Sequence, residues 1–177
     1  MKKIFKFFLV LIFMVVFITN AALAAEDPYY YKQWYLAKIK TQDAWQETMG
    51  SSEIVVAVID TGVDLDHPDI KANLWENPGE VDGDGKDNDG NGYIDDVHGW
   101  DFVNNRAEAE PKIISGYNTS STSHGTFIAG IISAIHSNGK GIKGVTANVK
   151  IMSLVALDAS GAGGSYDVSK AIDYAVA

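Results

Sequence analysis

The sequence contains no cysteine, so no disulfide can make up for a small core and any staple must be of another kind. Basic charge is scarce: 14 Lys and Arg stand against 23 Asp and Glu, a net charge of -9. That balance repels nucleic acid and suits cation binding or an extracellular setting. Long apolar runs are missing too. The run Phe7 to Ile18 falls short of the about 20 residues that a bilayer-spanning helix needs. The glycine-rich stretch DASGAGGS, Asp158 to Ser165, has no lysine after it, and its spacing fails the nucleotide-binding patterns.

What is present starts with Lys2, Lys3 and Lys6, then that apolar run, then Ala21-Ala22-Leu23-Ala24-Ala25. Basic start, apolar middle and small-residue end are the three parts of a secretory signal over residues 1–25, with cleavage expected after Ala24 or Ala25. The competing reading is an uncleaved anchor, which would be the chain's one link to a membrane. Cleavage removes three lysines and leaves 11 basic against 23 acidic side chains. A secreted location, extracellular or in the cell envelope, follows. The remaining residues, 26–177, suit one domain or part of a larger one, and 46% hydrophobic content is ample for a packed core.

Glu26 to Leu36, EDPYYYKQWYL, reads as an irregular segment pinned by its rings. Thr41 to Thr48 reads as a short helix capped by Thr41, with Ala44 and Trp45 inward. Ile54 to Asp60 is then a β-branched apolar run ending on an acid and turning through Thr61 and Gly62. That is the profile of a buried parallel strand with a carboxylate at its carboxyl end, where open α/β sheets build their sites.

Val81 to Asp96, VDGDGKDNDGNGYIDD, is an acidic insertion with internal order. Asp87, Asp89 and Asn91 alternate, Gly92 follows, and Asp95 closes the pattern, as in positions 1, 3, 5, 6 and 9 of a calcium loop. His98 stands where the closing bidentate glutamate belongs. A solvated acidic loop is the competing reading. Val97 to Val103 resumes strand character, and Val149 to Leu157 is a further buried strand.

Ser115 to Ser123 is a polar loop running into His124-Gly125-Thr126-Phe127-Ile128-Ala129-Gly130, a buried helix with Thr122 or Ser123 as cap and His124 at its entrance. An imidazole acting as general base needs a carboxylate on its far nitrogen. The strand-end Asp60 and the helix-start His124 supply both.

With AVIDTGVDLDHPDI around Asp60, SHGTFIAGIISA around His124 and GIKGVTANVKIMSLVALDASGAGGS from Gly141 to Ser165, the chain resembles the amino-terminal part of a subtilisin-like serine protease. The resemblance implies an α/β fold, a three-layer sandwich with a mostly parallel sheet, here incomplete. It also implies a peptidase acting on polypeptides, with Asp60 orienting and His124 as general base. Gly163 and Gly164 would edge a groove that pairs with an extended peptide. Asp27, Asp69 and Asn138 would share a structural calcium, a second set beside Asp87, Asp89, Asn91 and Asp95.

The chain departs from the family in three places. Phe127 stands where a second histidine is usual. Asp101 and Asn104 match a further cation site, but Arg106 replaces its acid. No serine occurs in a Gly-Thr-Ser context, so residues 26–177 are expected to be a partial domain, inactive alone. The alternative is a non-catalytic, secreted calcium-binding module.

Overall fold

The computed structural model describes residues 25–177, so the signal segment expected over 1–25 lies outside the described residues apart from Ala25. In chain order the elements are α1 (Trp34–Lys38), α2 (Thr41–Glu47), β1 (Val55–Asp60), β2 (Gly99–Asp101), α3 (Thr119–Thr122), α4 (His124–Ser133), β3 (Lys150–Val155) and α5 (Ser165–Val176). Short 3-10 turns occupy Tyr30–Lys32 and Lys71–Asn73. No helix among the described residues is long and apolar enough to cross a membrane.

Alternation along the strands dictates the layering. β1 sends Val56 and Val58 to one side and Ala57 and Ile59 to the other; β3 splits Ile151 from Met152 and Leu154 in the same way. Strands apolar on both sides need cover on both faces, which is the condition for a parallel sheet inside an α/β protein. The sheet is parallel, in the order β1-β3-β2, with Val55 opposite Lys150 and Gly99 opposite Ser153. On one face α4 packs Ile128, Ala129 and Ile132 against Val58 and Ile151. On the other α5 packs Val168, Ala171 and Ala175 around Met152, Leu154 and Trp100. Helix, sheet and helix make the three layers that the sequence implied.

Local expectations fail where backbone conformation overrides residue preference. Thr41 is the first residue of α2 and not its cap: Lys40 takes that place in a left-handed conformation, φ 56°, and the Thr41 hydroxyl donates to the Leu36 carbonyl. Ala44 is exposed, while Trp45 is half-buried and donates from Nε1 to the Val145 carbonyl. The segment expected to be irregular before Leu36 winds into helical turns. The loop before His124 contains α3, capped by the Asn118 side chain accepting from the Ser120 amide.

The acidic insertion is docked, not free. Asp96 is fully buried and accepts from Asn77 Nδ2 at 3.0 Å, Asn91 Nδ2 at 2.8 Å and the Tyr174 hydroxyl of α5 at 2.6 Å. Burial first, then the Asp96 bond, raise the Tyr174 hydroxyl far above its ordinary pKa, so it stays a donor. The Tyr93 ring sits edge-on to Trp100, Phe102 and Tyr174, with centroids 5.0, 5.8 and 5.1 Å away. A hydrogen bond to a buried charge contributes about 2 kcal/mol. Tyr174→Phe should therefore lower unfolding free energy by about that much. Combined with Asp96→Asn it should cost clearly less than the two single losses together, because both remove one bond. Urea titration of the four proteins checks this; strict additivity would show that the bond carries no energy.

Candidate active site

β1 ends by delivering Asp60 to the carboxyl edge of the sheet, where the backbone itself is anchored: the Asp60 carbonyl accepts from the Ala156 and Leu157 amides at 3.0 and 3.1 Å. Its side chain is buried, 8% exposed, and one oxygen accepts from the Thr61 amide at 2.7 Å. The other oxygen, Oδ2, lies 2.7 Å from His124 Nδ1. Thr61 fastens the same junction from the next position, donating from Oγ1 to the Thr122 carbonyl at 3.0 Å. The start of α4 is thus tied to the end of β1 by two consecutive residues.

Close approach is possible because residue 125 has no side chain. A Cβ at Gly125 would collide with the Gly62 carbonyl and come within 3.1 Å of the Asp60 Cβ. Any larger residue there would push His124 off the carboxylate. With Nδ1 donating to Asp60, the imidazole keeps its proton on that side and presents Nε2 as a free acceptor. The His124 side chain is 59% exposed, so Nε2 is accessible. It opens on a cleft of about 400 Å³ lined by Asp60, Thr61, Ser120, Ser121, Leu157 and Gly161.

Among the described residues, no serine hydroxyl bonds His124. Ser153 is fully buried, donating to the Ala109 carbonyl and accepting from the Val63 amide. Ser165 opens α5 and is exposed. The glycine-rich loop does border the cleft, at Gly161. Gly163 packs on the Ala156 carbonyl and Leu157, and Gly164 precedes α5 in extended conformation. The turn within the loop is held by Asp158, whose Oδ1 accepts from the Ser160 and Ala162 amides.

The expected cation ligands fall into two groups. In the first, Asp27 and Asp69 are 2% and 3% exposed and have no Lys or Arg partner among the described residues. Asp27 accepts from three successive amides, Ser137, Asn138 and Gly139, at 2.7, 3.0 and 3.2 Å. Asp69 accepts from Asn138 Nδ2 and the Ile142 amide. Burial chiefly, with the Asp27 charge adding to it, holds the Asp69 carboxyl above its usual range. A Cβ on Gly141 would strike the Asp69 carboxylate, so the loop backbone crowds around it.

In the second group Asp87 and Asp89 are joined by Glu80, and the three offer carboxylate oxygens within 4.8 Å of one another. Asn91 adjoins them, donating from Nδ2 to Asp89 at 3.1 Å. Asp95 turns the other way, and both its oxygens accept from the Gly85 amide. Glu80 was missed in the sequence because it precedes the alternating pattern; the signal for it is only its closeness to the acidic run. The matching positions after β2 are internally filled: Asp101 takes Asn104 Nδ2 at 2.7 Å and Arg106 Nε at 3.1 Å.

The chain is 36% identical over 154 residues to subtilisin-like protease 1 of Plasmodium berghei, covering 85% of this chain and 24% of that protein. It is 36% identical over 160 residues to the thermophilic serine proteinase of Bacillus sp. strain AK1, covering 90% and 32%. To thermitase of Thermoactinomyces vulgaris it is 33% identical, covering 84% and 42%. The chain thus spans about a quarter to under a half of these relatives. Among solved structures, a lanthipeptide protease aligns at 30% identity and a TM-score of 0.44, over 76% of this chain and 28% of that one. A model of the Subtilase family, peptidase S8, matches residues 51–177, and those residues hold both Asp60 and His124: the chain belongs to the subtilase family.

Proposed function

We propose that residues 26–177 are the amino-terminal part of an exported, calcium-stabilised serine endopeptidase, and that its nucleophilic serine lies outside this sequence. The observation that carries the reading is the 2.7 Å contact from Asp60 Oδ2 to His124 Nδ1, with Nε2 facing an open cleft. The serine hydroxyl attacks the peptide carbonyl while Nε2 takes its proton. His124 then hands that proton to the leaving amine, and water hydrolyses the acyl-enzyme by the same route. Asp60 holds the ring and stabilises the imidazolium. The substrate is an extended polypeptide lying along the 158–164 loop, with Gly161 at its edge.

A calcium ion would be held by Asp27, Asp69 and the Asn138 loop, and another by Glu80, Asp87 and Asp89 beside Asn91. In the first set the buried carboxylates without a Lys or Arg partner, and in both sets a donor set of oxygens, fit a hard cation. Calcium would supply fixed positive charge in place of disulfides. Export rests on the basic and apolar pattern of residues 1–25.

Peptide hydrolysis tests the assignment. The full-length gene product should cleave a chromogenic peptide, and its His124→Ala variant should lose roughly 10⁴-fold or more in kcat with an unchanged circular dichroism spectrum. The 177-residue chain should show none. Near-normal turnover by His124→Ala would overturn the roles of both His124 and Asp60. A stop codon after Ala177 would instead favour the non-catalytic module.

Calcium is tested separately by calorimetry. Chelation should lower the melting temperature by about 5–10 °C, the size expected for ligand present at about 100 times its Kd. Asp69→Asn and Asp87→Asn should each remove part of that shift. A melting curve indifferent to chelator would remove calcium from the assignment.

A further inference from the structure

The stretch Pro28 to Gln42, PYYYKQWYLAKIKTQ, carries five aromatic rings and three lysines and not one acid, in a chain with 23 acidic residues. Burial does not account for it. Tyr29, Tyr31, Trp34 and Ile39 are 52%, 78%, 75% and 58% exposed, and Lys32, Lys38 and Lys40 are exposed beside them. The groups are gathered: Lys32 Nζ lies 5.1 Å from the Tyr29 ring centroid and 5.6 Å from that of Tyr31. The 140–143 loop extends the basic surface. The Tyr29 amide donates to the Gly141 carbonyl, Lys143 Nζ sits 4.3 Å from the Tyr30 ring, and Lys140 is exposed. Asp27, which is buried, and Asp43 border the stretch without entering it.

We propose that the surface formed by Tyr29, Tyr31, Lys32, Trp34, Lys38 and Lys140 docks the protein on the anionic headgroup layer of a lipid bilayer. Tyr and Trp favour the boundary where one end of the ring is wet and the other apolar, and lysines add attraction to anionic lipid. Charge complementarity is specific to this patch, since the rest of the chain is acidic and would be repelled. Its place in the sequence agrees: it begins ten residues after the Phe7–Ile18 apolar run. Under the export proposed above, the patch emerges next to the membrane that the chain has crossed. The docking would hold the protein at the surface it crossed.

The test uses the full-length protein with vesicles of phosphatidylcholine containing phosphatidylglycerol and spin-labelled acyl chains. Tryptophan emission should be quenched, and Trp34→Phe should remove most of that quenching, since Trp45, Trp75 and Trp100 are half-buried or buried. Changing Lys32, Lys38 and Lys140 to Gln should weaken partitioning about a hundredfold, by loss of lysine attraction to the anionic surface. The same change at Lys112, Lys150 and Lys170 should leave it within about twofold, because those lysines lie outside the patch. Equal quenching in wild type and Trp34→Phe, or equal losses in the two lysine sets, would overturn the proposal. So would a Trp34 whose blue-shifted emission ignores lipid, which would mean that more of the polypeptide covers the patch. Retention on an anionic polysaccharide without lipid quenching would assign the surface to a cell-wall polymer instead.

Discussion

Asp60 is the point on which the molecule turns, because its main chain and its side chain serve different masters. The carbonyl accepts the Ala156 and Leu157 amides and so closes the pairing of β1 with β3. The carboxylate accepts the Thr61 amide and faces His124. Fold and chemistry are therefore held by one residue, and the sheet cannot shift its register without moving the imidazole's partner. Parallel pairing makes this possible, since it brings the carboxyl ends of neighbouring strands, and the loops that follow them, to one edge.

The two faces of the sheet do different work. On one, α4 supplies the imidazole from its first residue and buries its small and β-branched side chains against β1 and β3. On the other, α5 is joined through Tyr174 to Asp96, and through its ring to Tyr93. The acidic insertion thus rests on the helix that follows the glycine-rich loop at the cleft. One buried carboxylate and one pair of rings join these two segments.

Legibility in the sequence followed how local each cause was. Asp60 could be read because an apolar strand and an acid at its end are contiguous, and His124 because the helix it opens has an unbroken apolar run. Glu80 could not, since it meets Asp87 and Asp89 only after the loop folds back. Asp95 fitted a linear calcium pattern, but the loop's turns give its oxygens to Gly85. Thr41 looked like a cap because threonine favours that place; Lys40 holds it instead, with a backbone conformation no propensity announces. The aromatic stretch before Leu36 hid its helical turns because Tyr29, Tyr31 and Trp34 are exposed in the structure and so mark no buried stripe.

The grip of Asp27 on the 137–139 amides has a consequence for any shortening of the amino terminus. That carboxylate lies two residues beyond Ala25, itself bridged to Asn138, and it helps to fasten the segment before α1 to the loop leaving α4. Trimming by an aminopeptidase could take Glu26 at little cost, but removal of the next residue would unlatch the loop that also carries Asn138 and crowds Asp69. The folded body thus keeps Asp27 buried, at a point that any amino-terminal shortening would have to spare.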